Sequence, residues 1–297
     1  MTTRIALSAI GVMFLWALCF PLIAFGLANA PPMAFAAIRA LIAWAALLLV
    51  AHGYRRPFAR NRGHWGITAL IGVSATSLGF FGMFYGGARV APGVATVVAN
   101  TQPLIAAAIA WRIWGEPLVR HQWIGMGLGF AGIVLIGAPS LVEPGSSAAG
   151  LSLILLGALG TAFGNVLMSR MRGDFDTVRV MGWQLVIGSV PLGILSWLIE
   201  DAMLIHWSWP FLGALLALSL LGTALPFVAW FALLQRCSLN RLNVFTFFTP
   251  VFGLLMGYVF FAETLSLLSG AGIALCLLGV IRASTGTSTR ALQPDGL

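Results

Sequence analysis

The amino-acid sequence predicts an all-α membrane protein: ten transmembrane helices, arranged as two inverted five-helix repeats around a central cavity. Three observations predict it. The chain is too apolar to be wetted on all sides: 60% of its 297 residues are hydrophobic, 8% are charged, and the mean hydropathy is +0.97. A soluble domain carries about 25% charged residues, so the surrounding solvent here is lipid. The apolar residues fall into ten runs, each near the roughly twenty residues that cross a bilayer as a helix. Finally, one pattern of proline, glutamate and glycine is written twice, 147 residues apart.

The runs follow in order. The first, 4–27, exceeds the apolar core of a secretory leader (about 7–15 residues) and has Arg4 as its only flanking charge, so it reads as a retained helix. The second, 33–51, carries Arg39, the only charge inside a span. The third, 65–87, ends in Phe84-Tyr85-Gly86-Gly87, and the fourth, 93–113, contains Asn100 and Pro103. The fifth, 121–138, is rich in glycine (Gly125, Gly127, Gly129, Gly132), a spacing that lets helices approach closely. The sixth, 149–169, contains Asn165; the seventh, 177–199, contains Gln184 and Pro191; the eighth, 209–234, contains Pro226 and Trp230. The ninth, 242–261, holds Phe248 and Pro250, and the tenth, 266–282, repeats the small-residue stripe as Gly272, Cys276 and Gly279. The polar tail is expected to be disordered. The domain reading is therefore 1–140, 141–283 and a tail at 284–297.

Orientation follows from arginine, which supplies the whole basic charge because the chain has no lysine. With the N-terminus cytoplasmic, 14 of the 16 arginines fall in inside loops; Arg89 falls outside and Arg39 within a span. That is the positive-inside pattern, and it puts both termini in the cytoplasm. The net charge of +8 is spread over short loops, which argues for a membrane surface and against nucleic acid.

A shift of 147 overlays Pro103 on Pro250, Glu116 on Glu263, Gly125 on Gly272 and Gly132 on Gly279; a shift of 145 overlays Arg39 on Gln184 and Phe20 on Asn165. Each half then holds five spans. Five is odd, so the second copy enters the membrane in the opposite sense. Inverted repeats of this kind place the substrate site near the midplane between halves.

The stretch "FYGGARVAPGVATVVANTQPLIAAAIAWRIWGEPLVRHQWIGMGLGFAGIVLIG" resembles the signature half of the drug/metabolite transporter (DMT) superfamily, EamA type. The second half resembles it more loosely, with Ala262-Glu263 in place of Gly115-Glu116. The resemblance covers nearly the whole chain and is closest to the YddG-like amino-acid exporters. It implies ten helices in two inverted repeats and export of small metabolites.

Prolines mark candidate helix breaks at Pro21, Pro103, Pro191, Pro226 and Pro250, because each frees the carbonyl four residues back. Polar side chains within spans are the next signal: Arg39, Tyr85, Asn100, Gln102, Asn165 and Gln184. The Arg39 guanidinium has three readings: it holds a substrate carboxylate, braces carbonyls near a helix break, or reaches the interface. Asn100 and Asn165 either line a cavity or bond between helices. Aromatic residues complete the candidate substrate site: Trp16, Phe20, Phe84, Trp230 and Phe248, with Tyr85. The cavity is expected between the first, third, fourth, sixth, eighth and ninth spans. Trp65, Trp207 and Trp209 read as interface-belt residues. Glu116 and Glu263 read as caps or ion-pair partners at helix–loop junctions.

No acidic residue lies deep in a span, and His52, His64, His121 and His206 sit near span ends. Proton-coupled carriers use embedded groups of those kinds, so the expectation is facilitated flow or exchange driven by the substrate gradient. There is no phosphate-binding glycine loop, no metal-ligand spacing and no nucleophile–base motif, so the reading is a non-enzyme without cofactor or metal. Three cysteines scattered through the chain imply no disulfide framework. The function expected is alternating-access export of amino acids, including aromatic and apolar ones, across a bacterial inner membrane, by a monomer or homodimer with a small-molecule substrate and the lipid bilayer as partners. Rival readings are an exporter of nucleosides or drug-like cations, an intramembrane enzyme, and a non-transporting membrane partner.

Overall fold

The computed structural model describes residues 3–52, 62–89, 98–115, 119–141, 148–171, 176–201, 204–261 and 267–285. Among these residues all regular structure is helical. The helices are α1 (Thr3–Leu27), α2 (Pro32–His52), α3 (Arg62–Ile71 continued by turns to Gly86), α4 (Gln102–Trp114), α5 (Arg120–Leu141), α6 (Ala148–Arg170), α7 (Thr177–Ile199), α8 (Trp209–Leu234), α9 (Leu239–Asn243 continued to Phe261) and α10 (Leu267–Thr285). Six of them, α1, α2, α3, α6, α7 and α8, are long and apolar enough to cross a bilayer. Large apolar side chains stay exposed on their outer faces, as on Leu49, Val190 and Trp197, which suits lipid and not water. The chain is a multi-pass membrane protein.

Two helices bend. α3 passes through a π-helical turn at Gly72–Leu78 and a second at Gly82–Gly86. α8 has one at Leu220–Ala224, just before Pro226. The α8 turn has a direct cause, since Pro226 has no N–H for the Gly222 carbonyl. π-Helical turns inside α-helices are frequent at functional sites.

Within the expected fourth span, 93–113, residues 98–99 are helical, Asn100 and Thr101 form a turn, and α4 follows. It starts at Gln102, and Pro103 occupies its first turn, where a proline's missing N–H needs no partner. Pro250 likewise follows a 3₁₀ turn, Val244–Phe247, and lies in the first turn of Phe248–Phe261. The two repeat-equivalent prolines thus start helical segments. α4 ends at Gly115, which is left-handed at φ 63° and donates its N–H to the Trp111 carbonyl at 3.0 Å. That conformation favours glycine and accounts for the Gly in Gly115-Glu116. Glu116 and Glu263 themselves lie outside the described residues, as do the arginine loop 53–61 and the tail.

Helix pairs equivalent under the repeat lie against each other, and they run antiparallel. α5 crosses α10 with backbone touching backbone. A Cβ on Gly132 would fall 2.5 Å from the Gly272 carbonyl, and one on Gly279 would fall 2.6 Å from that of Gly125. The Cys276 thiol donates to the Gly129 carbonyl at 3.5 Å between them. α2 likewise runs antiparallel to α7: Trp44 faces Trp183, while the start of α2 meets the end of α7. There the Glu200 carboxylate accepts from the Met33 N–H at 2.8 Å and the Ala34 N–H at 2.9 Å, capping α2 from 166 and 167 residues away. α7 is capped locally, by Asp176 accepting from Val178 N–H at 2.9 Å. The remaining contacts exchange under the shift: α1 packs on α8 and α9, and α6 on α3 and α4.

Candidate functional site

The predicted side chains separate into neighbourhoods, two of which share the α1–α8 seam. On that seam Cys19 lies three residues after Trp16 along α1, and Trp230 lies seven after Thr223 along α8, so each pair shares a helix face.

The first neighbourhood is aromatic with one amide. Trp16 and Trp230 lie with ring centroids 5.2 Å apart, tilted by 56°. The Trp230 indole N–H donates to Asn165 Oδ1 at 3.2 Å. Trp16 belongs to α1 in the first half; Asn165 and Trp230 belong to α6 and α8 in the second. Trp16 is half-buried, whereas Trp230 and Asn165 are buried. The Asn165 amide is thus engaged between helices and also forms part of an aromatic wall.

The second neighbourhood is built on Arg39, which is 4% exposed. Its Nε donates to Thr223 Oγ1 at 2.7 Å, and its terminal Nη2 donates to the Gly222 carbonyl at 3.4 Å. Gly222 is the carbonyl that Pro226 frees. The Thr223 hydroxyl donates in turn to the Leu218 carbonyl at 3.0 Å, and the Cys19 thiol adds a bond to Gly222 O at 3.4 Å. Nη2 also lies 3.8 Å from the Cys19 sulfur. The guanidinium carbon sits 4.5 Å from the Phe80 ring centroid and 5.5 Å from that of Phe84. No carboxylate reaches Arg39 among the described residues, so carbonyl, hydroxyl and ring faces carry the solvation of a buried charge. Of the three readings of Arg39, these contacts are those of a brace on a helix break.

The other predicted residues lie apart. Tyr85 stacks on Phe81 at 5.6 Å, and the Arg89 guanidinium lies 3.7 Å over its ring. Phe248 stands in a stacked row between Phe245 and Phe252, at 6.4 and 6.0 Å, on the α1–α9 contact. Asn100 is buried in the turn that precedes α4, and Pro103 is buried beside it. Gln184 is fully buried where α7 meets the π-helical turn of α3, and its Oε1 accepts from the Thr76 hydroxyl at 2.8 Å. Pro21 lies within α1. The Phe20 side chain lies outside the described residues.

Cys19 and Thr223 join the Arg39 cluster without having been singled out as site residues in the sequence. A short hydroxyl or thiol in an apolar run carries no signal until its neighbour is known. The proline rule does point at Gly222. Its lack of a side chain also has a steric reason: a Cβ there would fall 2.7 Å from the Cys19 sulfur. Glu200 as a cap for α2 was not foreseeable, because nothing local links residues so far apart.

Comparison with known proteins fixes the class. The profile of the EamA-like transporter family matches residues 3–138 and again 148–285. The chain belongs to the EamA-like transporter family. It is 29% identical to the uncharacterized transporter YvbV of Bacillus subtilis, over 99% of this chain and 96% of that protein. It is 28% identical to a protein of Salmonella typhimurium described as a probable amino-acid metabolite efflux pump, over 92% of each. A solved crystal structure superposes with a TM-score of 0.79 at 20% identity, covering 96% of this chain and 98% of that one, a likeness of fold alone.

Proposed function

We propose that this protein is a secondary transporter that exports small metabolites, foremost amino acids with aromatic or other apolar side chains, by alternating access and without ATP hydrolysis. It would work in a bacterial inner membrane, with both termini cytoplasmic and ten spans in two inverted repeats. The observation that carries the reading is the antiparallel packing of repeat-equivalent helices, α2 on α7 and α5 on α10, with the Trp16–Trp230–Asn165 cluster drawn from both halves. Antiparallel equivalents are what an odd-numbered unit, duplicated, requires, and such halves rock about a shared site. An aromatic wall with one amide suits an amino acid whose side chain is apolar and whose backbone is polar. The name of the Salmonella relative supports the substrate class.

Transport is expected to follow the substrate's own gradient. Among the described residues the buried charged side chains are Arg39 and Asp176, and Asp176 caps α7. Neither is an acid deep in a span, where a proton relay would need one.

Counterflow in proteoliposomes of the purified protein, with a panel of amino acids, nucleosides and cationic drugs, tests the function. Exchange of aromatic or branched amino acids above the protein-free background is expected. Exchange confined to nucleosides or cations would replace the substrate class, and no exchange of any solute would overturn the reading. For the site, Trp230→Phe keeps a ring but strips the donor from Asn165 Oδ1, a loss of about 1–3 kcal/mol, and is expected to raise the half-saturating concentration by roughly tenfold. Asn165→Ala and Asn100→Ala are expected to alter substrate preference. Unchanged transport in all three variants would remove these residues from the site.

A further inference from the structure

Two polar contacts are equivalent under the repeat. Arg39 corresponds to Gln184 at a shift of 145, and Thr223 corresponds to Thr76 at a shift of 147. On α2, Arg39 reaches Thr223 in the π-helical turn of α8 at 2.7 Å. On α7, Gln184 meets Thr76 in the π-helical turn of α3 at 2.8 Å. Each contact joins one half of the molecule to the bent helix of the other. The geometry is shared, but the chemistry is not. Arg39 brings a charge, a second bond to the Gly222 carbonyl and two ring faces. Gln184 brings one neutral bond, and its buried Nε2 has no partner among the described residues.

We propose that Arg39 and Gln184 are a matched pair of positioning residues, clasps on the bends of α8 and α3, and that their unequal strength sets the balance between the two states of the transport cycle. The proposal rests on the alternating-access reading above. In an inverted-repeat carrier the two states arise when the halves exchange conformations. Identical halves would populate both states equally, so any inequality between equivalent contacts tilts the ratio by its differential energy. A charge-assisted bond exceeds a neutral one by enough to shift such a ratio roughly tenfold. The arginine therefore favours the state in which α8 takes the clasped bend seen here.

Distances between nitroxide labels in lipid nanodiscs test this in the full chain, with Cys237 replaced by serine. One pair, at Arg89 and Trp209, reports one end of the bundle; a second, at His52 and Arg236, reports the other. In the unsubstituted background each pair should give two distances, one dominant. Arg39→Gln should shift the ratio about tenfold toward the minor state. Thr223→Val, nearly isosteric, should shift it about threefold the same way, and Thr76→Val should shift it less than Thr223→Val. Monodisperse elution with unchanged helical content certifies each variant; if Arg39→Gln does not fold, Thr223→Val against Thr76→Val decides. A single unshifted distance throughout would overturn the proposal, as would ratios within twofold in the folded Arg39 and Thr223 variants, or an equal effect of the two threonine variants. A wild-type protein that exchanges no amino acid would sink the functional reading, while the distances would still judge the clasps.

Discussion

Where α5 crosses α10, the two halves of this molecule are equivalent almost contact for contact. Gly132 meets the Gly272 carbonyl as Gly279 meets that of Gly125. Where α2 and α7 reach toward the bent helices, the equivalence survives in position only: arginine stands against glutamine, and a proline-broken turn stands against one without proline. The difference has a physical reason. Backbone-to-backbone contact leaves room for one residue type, so neither copy can change without parting the helices. Polar contacts across a wider gap can be satisfied in several ways, and each copy is free to take its own. In this molecule the packing contacts keep the two-fold equivalence and the polar contacts do not.

The largest expected effect breaks the symmetric contact. Gly132→Ala puts a methyl 2.5 Å from the Gly272 carbonyl and 2.8 Å from the Cys276 nitrogen, backbone atoms that no change of rotamer can move. The helices must part, and overpacking of this kind costs about 1–3 kcal/mol, here at the upper end. Gly279→Ala should lose the same amount to within about 0.5 kcal/mol, since it makes the equivalent clash. Thermal unfolding in detergent measures both. A clear inequality between them would show that the contact is less symmetric than its geometry.

The next effect sharpens the contrast between α2 and α7. Glu200→Ala strips acceptors from the first N–H groups of α2 and unties it from the far end of α7, a loss of about 1–2 kcal/mol. Asp176→Ala removes the local cap of α7 alone, so its loss should be smaller, about 0.5–1 kcal/mol. Hydrogen exchange at Met33 and Ala34 should rise in the first variant and not in the second. A reversed order of stabilities would mean that the long-range cap contributes nothing beyond a local one.

Much of this was legible in the residues. Apolar runs at bilayer length located the helices, and the small-residue stripes at Gly125, Gly132, Gly272 and Gly279 read as close-packing faces, but only the structure shows that the two stripes meet each other. The family followed from the Gly115-Glu116 region and its surroundings. The interior of the site was harder to read. The cost of a charge in lipid says that Arg39 faces inward unless it reaches the interface, but not that it meets the Gly222 carbonyl on a helix more than 180 residues later. Gln184 and Asn165 look alike as amides in apolar spans, yet one meets a threonine at a bend and the other an indole. Pro103 shows the same limit, because a proline ring at the start of a helix and one in its middle read identically in a string of letters.

The smallest effect tests the comparison within a single helix. Gly127 shares α5 with Gly132 but faces away from α10, and a Cβ added there meets nothing within 4 Å. Gly127→Ala therefore makes the same chemical change as Gly132→Ala with no clash. What remains is the backbone entropy that glycine loses in a helix, so the variant should be more stable than wild type by about 0.5–1 kcal/mol. Opposite signs for two identical substitutions five residues apart, in one unfolding assay, would tie the loss at Gly132 to the contact with α10 and not to glycine's place in a membrane helix. Destabilisation of both would place the need for glycine in α5 itself, and the two-fold contact would lose its explanation for the stripe.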